Sequence, residues 1–274
     1  MVSIYLLNRF FPSTKNIVVF ALSEGTYTVD DSKIFRPFDA TKDNLKDRPA
    51  SLLVDIVPFL IKTNHDLIVI DPGLGLLLLN GEYHIHENIR KCGFSPDDVS
   101  LVLLSHLHKD HASGICYGNA PAFNLMFPSA KYYCQQKEME DAFLRNDAPS
   151  YVLEKLDFLK HTPNLVYLDG DGKIGDAITY EISGGHTRYH QVFTIDAGGL
   201  TCFFGGDVLP QPNQLLMKFS AKYDYDGKVS AEKRMEYGQR AAEKNLVCLF
   251  FHSVNMTMAR VKMDVNNKFL LEKV

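Results

Sequence analysis

Histidines and one carboxylate crowd into a six-residue segment near the middle of the chain. The segment reads His-Leu-His-Lys-Asp-His (residues 106–111) and follows the apolar run 99–104, which is typical of a buried strand. Imidazole nitrogens and carboxylate oxygens bind borderline divalent metals such as zinc. Four such ligands exceed what one ion with an open water position accepts. The segment therefore predicts two adjacent metals, and two metals indicate hydrolysis.

Three further candidate ligands follow other apolar segments of the chain. His186 comes shortly after a predicted strand ending at Ile182, Asp207 follows Phe203-Phe204-Gly205-Gly206, and His252 follows Leu249-Phe250-Phe251. Active sites of α/β proteins gather at the carboxyl ends of buried strands. The sequence therefore predicts seven metal ligands: His106, His108, Asp110, His111, His186, Asp207 and His252.

These seven side chains divide naturally between two ions. His106, His108 and His186 are assigned to one zinc, Asp110 with His111 and His252 to the other, and Asp207 to a bridging position. Two Zn²⁺ with two carboxylates and one bridging hydroxide leave a charge of about +1, which favours an anionic transition state. Attack on an ester carbonyl or a phosphoryl centre has such a transition state. Asp110 is also expected to hydrogen-bond the nucleophile and carry its proton to the leaving group.

Composition limits the class of protein. The 274 residues are 46% hydrophobic, which supports a full core, and no apolar stretch approaches the ~20 residues needed to span a bilayer. A net charge of −4 gives no support to a nucleic-acid partner. The five scattered cysteines predict buried free thiols in a reducing cytoplasm. We therefore expect a mature, soluble, cytoplasmic chain whose residues 1–274 form one α/β domain.

Short apolar strands alternate with fewer helices along the chain. One strand is predicted over the whole of 51–62, and helices over 86–92 and 135–145. Ser230 is expected to cap a helix from Ala231 to Lys244, whose early glutamates and late lysine suit the helix dipole.

The ligand pattern resembles the metallo-β-lactamase superfamily, whose hallmark is His-x-His-x-Asp-His followed by a distant His, Asp and His. Asp71-Pro72-Gly73 matches the Asp-x-Gly turn of that family. The resemblance covers about residues 50–255. It implies an αββα sandwich of two mixed β-sheets flanked by helices, with the dinuclear site at the edge between the sheets. It also implies two Zn²⁺ per chain, with manganese, iron or cobalt as alternatives.

Within that superfamily, residues 21–35 and 216–225 look like the branch of N-acyl-homoserine lactonases and methyl-parathion-hydrolase-like esterases. The lactonases have a tyrosine three residues after the bridging aspartate, where this chain has Pro210. Tyr223 and Tyr225 are the alternatives for that hydroxyl. Arg188 and Tyr189 also depart from the usual Gly-His-Thr-Pro-Gly-His.

The resulting hypothesis is a dinuclear zinc hydrolase in which a bridging hydroxide attacks a small ester, foremost a lactone of the N-acyl-homoserine type. A phosphotriesterase or arylesterase of the same fold is an alternative, and a metal-binding module without turnover is another. The expected partner is a small-molecule ester or lactone, without nucleic acid or membrane. Because the esterase branch often dimerises, a homodimer stays open.

Supporting roles are expected for several other residues. Asp71 is predicted to brace the ligand loop by accepting N–H bonds, and His190 to support the site by a hydrogen bond. His84 and His86 are expected at the start of a surface helix. The apolar segment 74–79 is open to three interpretations: core packing, an acyl groove or a dimer contact.

Overall fold

Two seven-stranded sheets occupy the middle of the structure. The computed structural model describes residues 3–5 (backbone only), 18–145, 149–196, 199–217 and 219–274. The strands of the N-terminal sheet are, in spatial order, Ser3–Tyr5, Val18–Ala21, Phe59–Lys62, Leu67–Ile70, Leu101–Leu103, Lys131–Gln135 and Leu165–Leu168. Those of the C-terminal sheet are Gly172–Ile174, Ile178–Ile182, Gln191–Asp196, Thr201–Phe204, Val247–Leu249, Met258–Met263 and Phe269–Lys273.

Both sheets are mixed. The last four strands of the N-terminal sheet run parallel to one another, and its other pairs are antiparallel. In the C-terminal sheet Thr201–Phe204 pairs in parallel with Val247–Leu249. Parallel neighbours need long crossover connections, and these connections bring strand ends and the loops after them to one edge.

Helices and two small sheets complete the described elements. The α-helices are His84–Lys91, Lys109–Ala112, Gln136–Leu144, Leu153–Lys160, Asn213–Leu216 and Gly227–Glu243, and the 3-10 helices are Leu45–Asp47, Pro96–Asp98, Ser113–Ile115 and Gly206–Val208. Gly25–Val29 pairs with both Arg36–Pro37 and Leu52–Ile56, and Cys116–Tyr117 pairs with Asn124–Leu125. No helix in the described ranges is long and apolar enough to cross a bilayer.

The alternation of side chains along the strands builds the layers. Phe59 and Ile61 point into a core shared with Phe204 of the other sheet, whereas Leu60 packs with the helices on the outer face. Phe203 likewise faces away from Phe204 and packs against the helix Gly227–Glu243. Because successive residues of a strand face opposite sides, each sheet buries one face on the other sheet and one face on helices. The αββα sandwich is confirmed.

Two of the expected elements differ in the structure. The single strand over 51–62 is wrong: Leu52–Ile56 belongs to a small three-stranded sheet and Phe59–Lys62 to the N-terminal sheet. The backbone carbonyl of Pro58, at the break, accepts a hydrogen bond from the N–H of Leu22. Proline has no N–H for a sheet ladder, so a change of partner at this point is expected.

The long C-terminal helix begins earlier than Ser230. Its N-cap is Asp226, whose carboxylate accepts hydrogen bonds from the N–H groups of Lys228 and Val229, and Ser230 is buried inside the helix. Aspartate caps a helix as well as serine does, so the helix begins at the earlier of these two residues.

The cysteines and the apolar segment 74–79 also have clear positions. All five cysteines are free; four are buried and Cys92 is half-buried. Leu74 and Leu76 pack against the core between the sheets, whereas Leu77 and Leu79 are exposed. Core packing therefore explains Leu74 and Leu76 but not Leu77 and Leu79.

Candidate metal centre

The seven residues with candidate ligand atoms meet in one place. The segment 106–111 follows the strand Leu101–Leu103 of the N-terminal sheet, and His186, Asp207 and His252 follow strands of the C-terminal sheet. Their side chains are buried or nearly so. Loops at the ends of both sheets thus supply one site, although the residues lie as much as 146 positions apart in the chain, from 106 to 252.

Three histidines form the first group. Nδ1 of His108 lies 3.1 Å from Nε2 of His106 and 3.0 Å from Nε2 of His186. Three nitrogens at this separation converge on a common point between them. This group is the one assigned to a single ion from the sequence.

The second group contains Asp110, His111 and His252. Oδ2 of Asp110 lies 3.7 Å from Nε2 of His111 and 3.6 Å from Nε2 of His252. These distances are longer than those between the nitrogens of the first group, so the Asp110 carboxylate is less closely packed against the other members of its group.

Asp207 lies between the two groups. Its Oδ1 is 3.1 Å from Nε2 of both His111 and His252, and its Oδ2 is 3.2 Å from Nε2 of His186. One carboxylate oxygen therefore faces each group, which is the geometry of a bridging carboxylate.

Hydrogen bonds on the outer side of three histidines direct their lone pairs inward. The Nδ1 contacts are His111 to Asp71 Oδ2 (2.8 Å), His186 to Asp224 Oδ1 (2.8 Å) and His252 to the carbonyl of Asp55 (2.7 Å). Each acceptor needs a proton on Nδ1, so Nε2 of the neutral ring carries a free lone pair. Carboxylate or carbonyl partners of this kind are usual for metal-binding histidines.

The charge balance of the cluster also fits bound cations. Nε2 of His111 and Oδ1 of Asp207 are buried and make no well-formed hydrogen bond to a described residue. Burial holds the pKa of His106 well below its usual range. Burial acts in the same direction on His111, but the carboxylates of Asp207 and Asp110 outweigh it and raise the pKa of His111 well above its usual value. Converging lone pairs and carboxylates without donors suit two divalent ions.

Asp71 braces the loop that carries the first four residues of the set. Its carboxylate accepts hydrogen bonds from the N–H of Ser105 (2.7 Å), the hydroxyl of Ser105 (2.5 Å) and the ring of His111. Both oxygens are thus in use, although Asp71 also lies close to the nitrogens of His106 and His111. These contacts agree with the bracing role expected from the sequence.

His190 supports Asp207 from the protein side. Its Nε2 accepts a hydrogen bond from the N–H of Asp207 at 3.1 Å, and its Nδ1 contacts the hydroxyl of Ser183 at 2.6 Å. His190 is fully buried, and both ring nitrogens have partners. Its expected supporting role, rather than a ligand role, agrees with these contacts. His86 is likewise engaged, at the carbonyl of Met126.

Three acidic residues around the site escaped the sequence analysis. Asp224 orients His186, and Glu138 accepts a hydrogen bond from the hydroxyl of Thr187 at 2.8 Å. Glu24 accepts the N–H of Leu74 at 2.7 Å. Asp224 and Glu24 lie inside the two segments that resembled the lactonase branch, but nothing local marks them as partners of the site. Glu138 lies on a helix of mixed charge and gives no signal of its own.

Glu24 gives a prediction about stability. It is buried, and burial raises its pKa from 4.5 to about 7 although three backbone N–H groups oppose that shift. The folded protein therefore holds a proton that the unfolded chain releases, so stability falls as pH rises from 4.5 to about 7. We expect Glu24→Gln to abolish this fall. Between pH 5 and 8, the free energy of unfolding of the wild type should therefore decrease by roughly 3 kcal/mol relative to that of the variant.

Urea unfolding of both proteins at a series of pH values measures this difference. Glu272→Gln, at a solvent-exposed position of the last strand, is the matched control and keeps the pH dependence of the wild type. Parallel stability profiles for Glu24→Gln and the wild type would contradict the prediction.

Parts of this chain match known proteins in sequence. Residues 54–117 match the metallo-beta-lactamase superfamily, a span that includes Asp71 and the segment 106–111. The N-acyl homoserine lactonase AttM of Agrobacterium fabrum is 30% identical over 151 residues, which are 51% of this chain and 48% of AttM. The N-acyl homoserine lactonase AiiA of Bacillus thuringiensis subsp. kurstaki is 29% identical over 115 residues, 42% of this chain and 40% of that protein. The matches span about half the length of these relatives, or less.

Solved structures agree over nearly the whole chain. A probable metal-dependent hydrolase from Staphylococcus aureus superimposes with a TM-score of 0.76 at 21% identity, covering 96% of this chain and 99% of that one. The dizinc quorum-quenching lactonase AidC superimposes with a TM-score of 0.70 at 19% identity, covering 95% and 97%. By fold, by the matched segment and by its relatives, the chain is therefore related to the hydrolases of the metallo-beta-lactamase superfamily, with N-acyl homoserine lactonases among its homologues.

Proposed function

We propose that this chain is a dinuclear zinc hydrolase that opens a small ester, foremost a lactone. The observation that carries the proposal is the position of Asp207, whose two oxygens face two separate groups of histidine nitrogens. A single-metal or purely structural site has no use for that arrangement. The lactonase relatives support ester chemistry over the other reactions that two metals serve.

The residues that would hold the two ions follow from the two groups. His106, His108 and His186 suit one zinc, Asp110, His111 and His252 suit the other, and Asp207 suits both. Two bound zinc ions would polarise the ester carbonyl and lower the pKa of the attacking water. A set dominated by imidazole nitrogen favours zinc over magnesium or calcium.

Asp110 is the residue proposed to move the proton. Its carboxylate is the more exposed of the two in the cluster, with 13% of the side chain accessible against 9% for Asp207. No described residue donates a hydrogen bond to this carboxylate, and Nε2 of His111 and of His252 lie 3.7 Å and 3.6 Å from its Oδ2. A free carboxylate oxygen beside the reacting water can take its proton and return it to the leaving alkoxide.

Tyr223 is the tyrosine best placed to contact a substrate carbonyl. Its ring meets the ring of His186 edge-on, with 5.9 Å between centroids. Burial raises the pKa of its hydroxyl, so the group stays protonated and can donate a hydrogen bond. Pro210 instead contributes its carbonyl, which accepts the N–H of His252 at 3.0 Å. The proposed substrate-orienting hydroxyl therefore comes from a different loop than in the lactonases.

Metal removal and a substrate panel test the proposal. We expect purified protein to contain about two zinc ions per chain and to open N-hexanoyl homoserine lactone. Dialysis against a chelator should lower kcat/KM by about 10³-fold or more, because the nucleophile and the Lewis acid leave together. Zinc should restore the activity. The measurements are elemental analysis and a titration of the acid released by ring opening.

The panel also contains 4-nitrophenyl pentanoate and a phosphotriester. If the protein hydrolyses these two compounds but opens no lactone, the proposed lactonase activity is wrong and the protein is an arylesterase or phosphotriesterase. Two bound zinc ions without turnover of any substrate would indicate a metal-binding module.

A further inference from the structure

Cationic side chains surround two tyrosines beside the candidate metal centre. The guanidinium carbon of Arg188 lies 4.7 Å from the ring centroid of Tyr225, and that of Arg145 lies 5.3 Å from the same ring. Nζ of Lys33 lies 5.7 Å from the ring centroid of Tyr223. Three positive groups at one place contrast with the net charge of −4 of the whole chain.

These cations are directly connected to the candidate metal centre. Arg188 is two residues after His186, and the N–H of Tyr225 donates to the carbonyl of His186 at 3.0 Å. The ring of Tyr223, which Lys33 approaches, contacts the ring of His186. The cationic groups therefore border the site rather than occupy a distant surface.

Nearby acids neutralise this positive charge incompletely. Asp141 faces both arginines, with its oxygens 3.0 Å from Nε of Arg145 and 3.7 Å from Nε of Arg188. The second distance is too long for a hydrogen bond. The Arg188 side chain is 47% exposed, and its terminal nitrogens donate to no described residue. Asp141 thus pairs closely with Arg145 alone, which leaves the guanidinium of Arg188 available for a ligand.

A cleft of about 380 Å³ lies beside Arg188. Arg188, Tyr225 and Gly185 form part of its wall, so it runs along the loop that carries His186. Asp226 also lines it, but the carboxylate of Asp226 accepts two backbone N–H groups as the cap of the long helix. The volume is at the small end of ligand pockets and suits one compact anionic group.

We propose that the substrate carries a carboxylate or phosphate group, separate from its scissile ester, and that Arg188 binds this group. The ring of Tyr225 supports the guanidinium, whose carbon lies 4.7 Å from the ring centroid. A guanidinium held over an aromatic ring can still donate two parallel hydrogen bonds from its edge. Lys33 and Arg145 add attraction at longer range. This inference rests on the proposed ester hydrolysis and makes anionic esters or lactones the preferred substrates, ahead of uncharged ones of the same length.

A pair of esters of matched length tests the inference. The mono-4-nitrophenyl ester of glutaric acid ends in a carboxylate, and 4-nitrophenyl pentanoate ends in a methyl group. We expect the zinc-loaded wild type to prefer the anionic ester by about tenfold or more in kcat/KM. Arg188→Gln should remove most of that preference through a higher KM for the anionic ester, and 0.5 M salt should weaken it in the wild type.

Arg90→Gln is the matched control, since it removes the same charge from an exposed position of the helix His84–Lys91 and should keep the preference. Equal kcat/KM for the two esters, or the same preference in Arg188→Gln as in the wild type, would overturn the inference.

Failure of the proposed function is a separate result. If neither ester is hydrolysed, calorimetric titration with glutarate decides the inference alone: binding that weakens about tenfold in Arg188→Gln supports it, and binding that is unchanged in Arg188→Gln, or absent from the wild type, contradicts it.

Discussion

Asp207→Ala is expected to lower the zinc content from about two ions per chain to one or fewer and kcat/KM by about 10³-fold or more. The reason is geometric. Among the described residues, Asp207 is the one acid whose two oxygens lie within 3.2 Å of nitrogens from both groups. If Asp207 holds both ions as proposed, its loss removes a ligand from each of them. It also removes a negative charge from between them, so the mutual repulsion of two divalent ions is less well compensated. Elemental analysis and lactone turnover on the same preparation measure both effects.

Asp97→Ala is the matched control for the loss of an aspartate. Asp97 is exposed in the 3-10 helix Pro96–Asp98, and its replacement should change neither zinc content nor turnover. Retention of two zinc ions by Asp207→Ala after dialysis would contradict a bridging role. Loss of zinc from Asp207→Ala is interpretable if the variant is still folded, and circular dichroism shows whether its secondary structure is retained.

The candidate ligands were accessible to sequence analysis because each follows a recognisable apolar strand. His106, Asp207 and His252 all appear within a few residues of a strand end, where the backbone direction alone brings them to one edge. The structure brings all seven candidate residues together in the two expected groups.

Residues that orient the candidate ligands were not accessible in the same way. Asp224 reaches His186 from a loop 38 positions away, and the carbonyl of Asp55 reaches His252 across 197 positions. Such contacts depend on how the two sheets pack together, and the hydropathy pattern of the sequence does not predict them. Glu138 is a related case, since a buried glutamate on a helix has the same sequence appearance as an exposed one.

Two predicted secondary-structure elements were wrong because a competing cap or strand partner was used instead. Asp226 and Ser230 both precede a helical pattern, and the choice of Asp226 follows from its two backbone hydrogen bonds. The strand over 51–62 was divided because Leu52–Ile56 has a partner, Gly25–Val29, outside the main sheet. Strand partners are long-range properties, whereas periodicity reports the direction of side chains only.

Asp110→Asn is expected to lower kcat by about 10²- to 10⁴-fold while KM and at least one zinc ion are retained. Oδ2 of Asp110 is 3.6 Å or more from the histidine nitrogens of its group, whereas Oδ1 of Asp207 is 3.1 Å from them. Asp110 is therefore the looser member of the group, and His111, His252 and Asp207 remain to hold the ion. Asparagine fills the same space but cannot accept and return a proton.

The leaving group separates proton transfer from metal binding as the role of Asp110. A lactone expels an alkoxide that must be protonated as it departs, whereas a 4-nitrophenyl ester expels a stable phenoxide that needs little help. If Asp110 delivers the proton, Asp110→Asn should impair lactone opening at least about tenfold more than hydrolysis of 4-nitrophenyl pentanoate. If Asp110 acts through the metal alone, the variant impairs both substrates equally, because both depend on the same activated water. Full activity of the variant on the lactone would exclude either role.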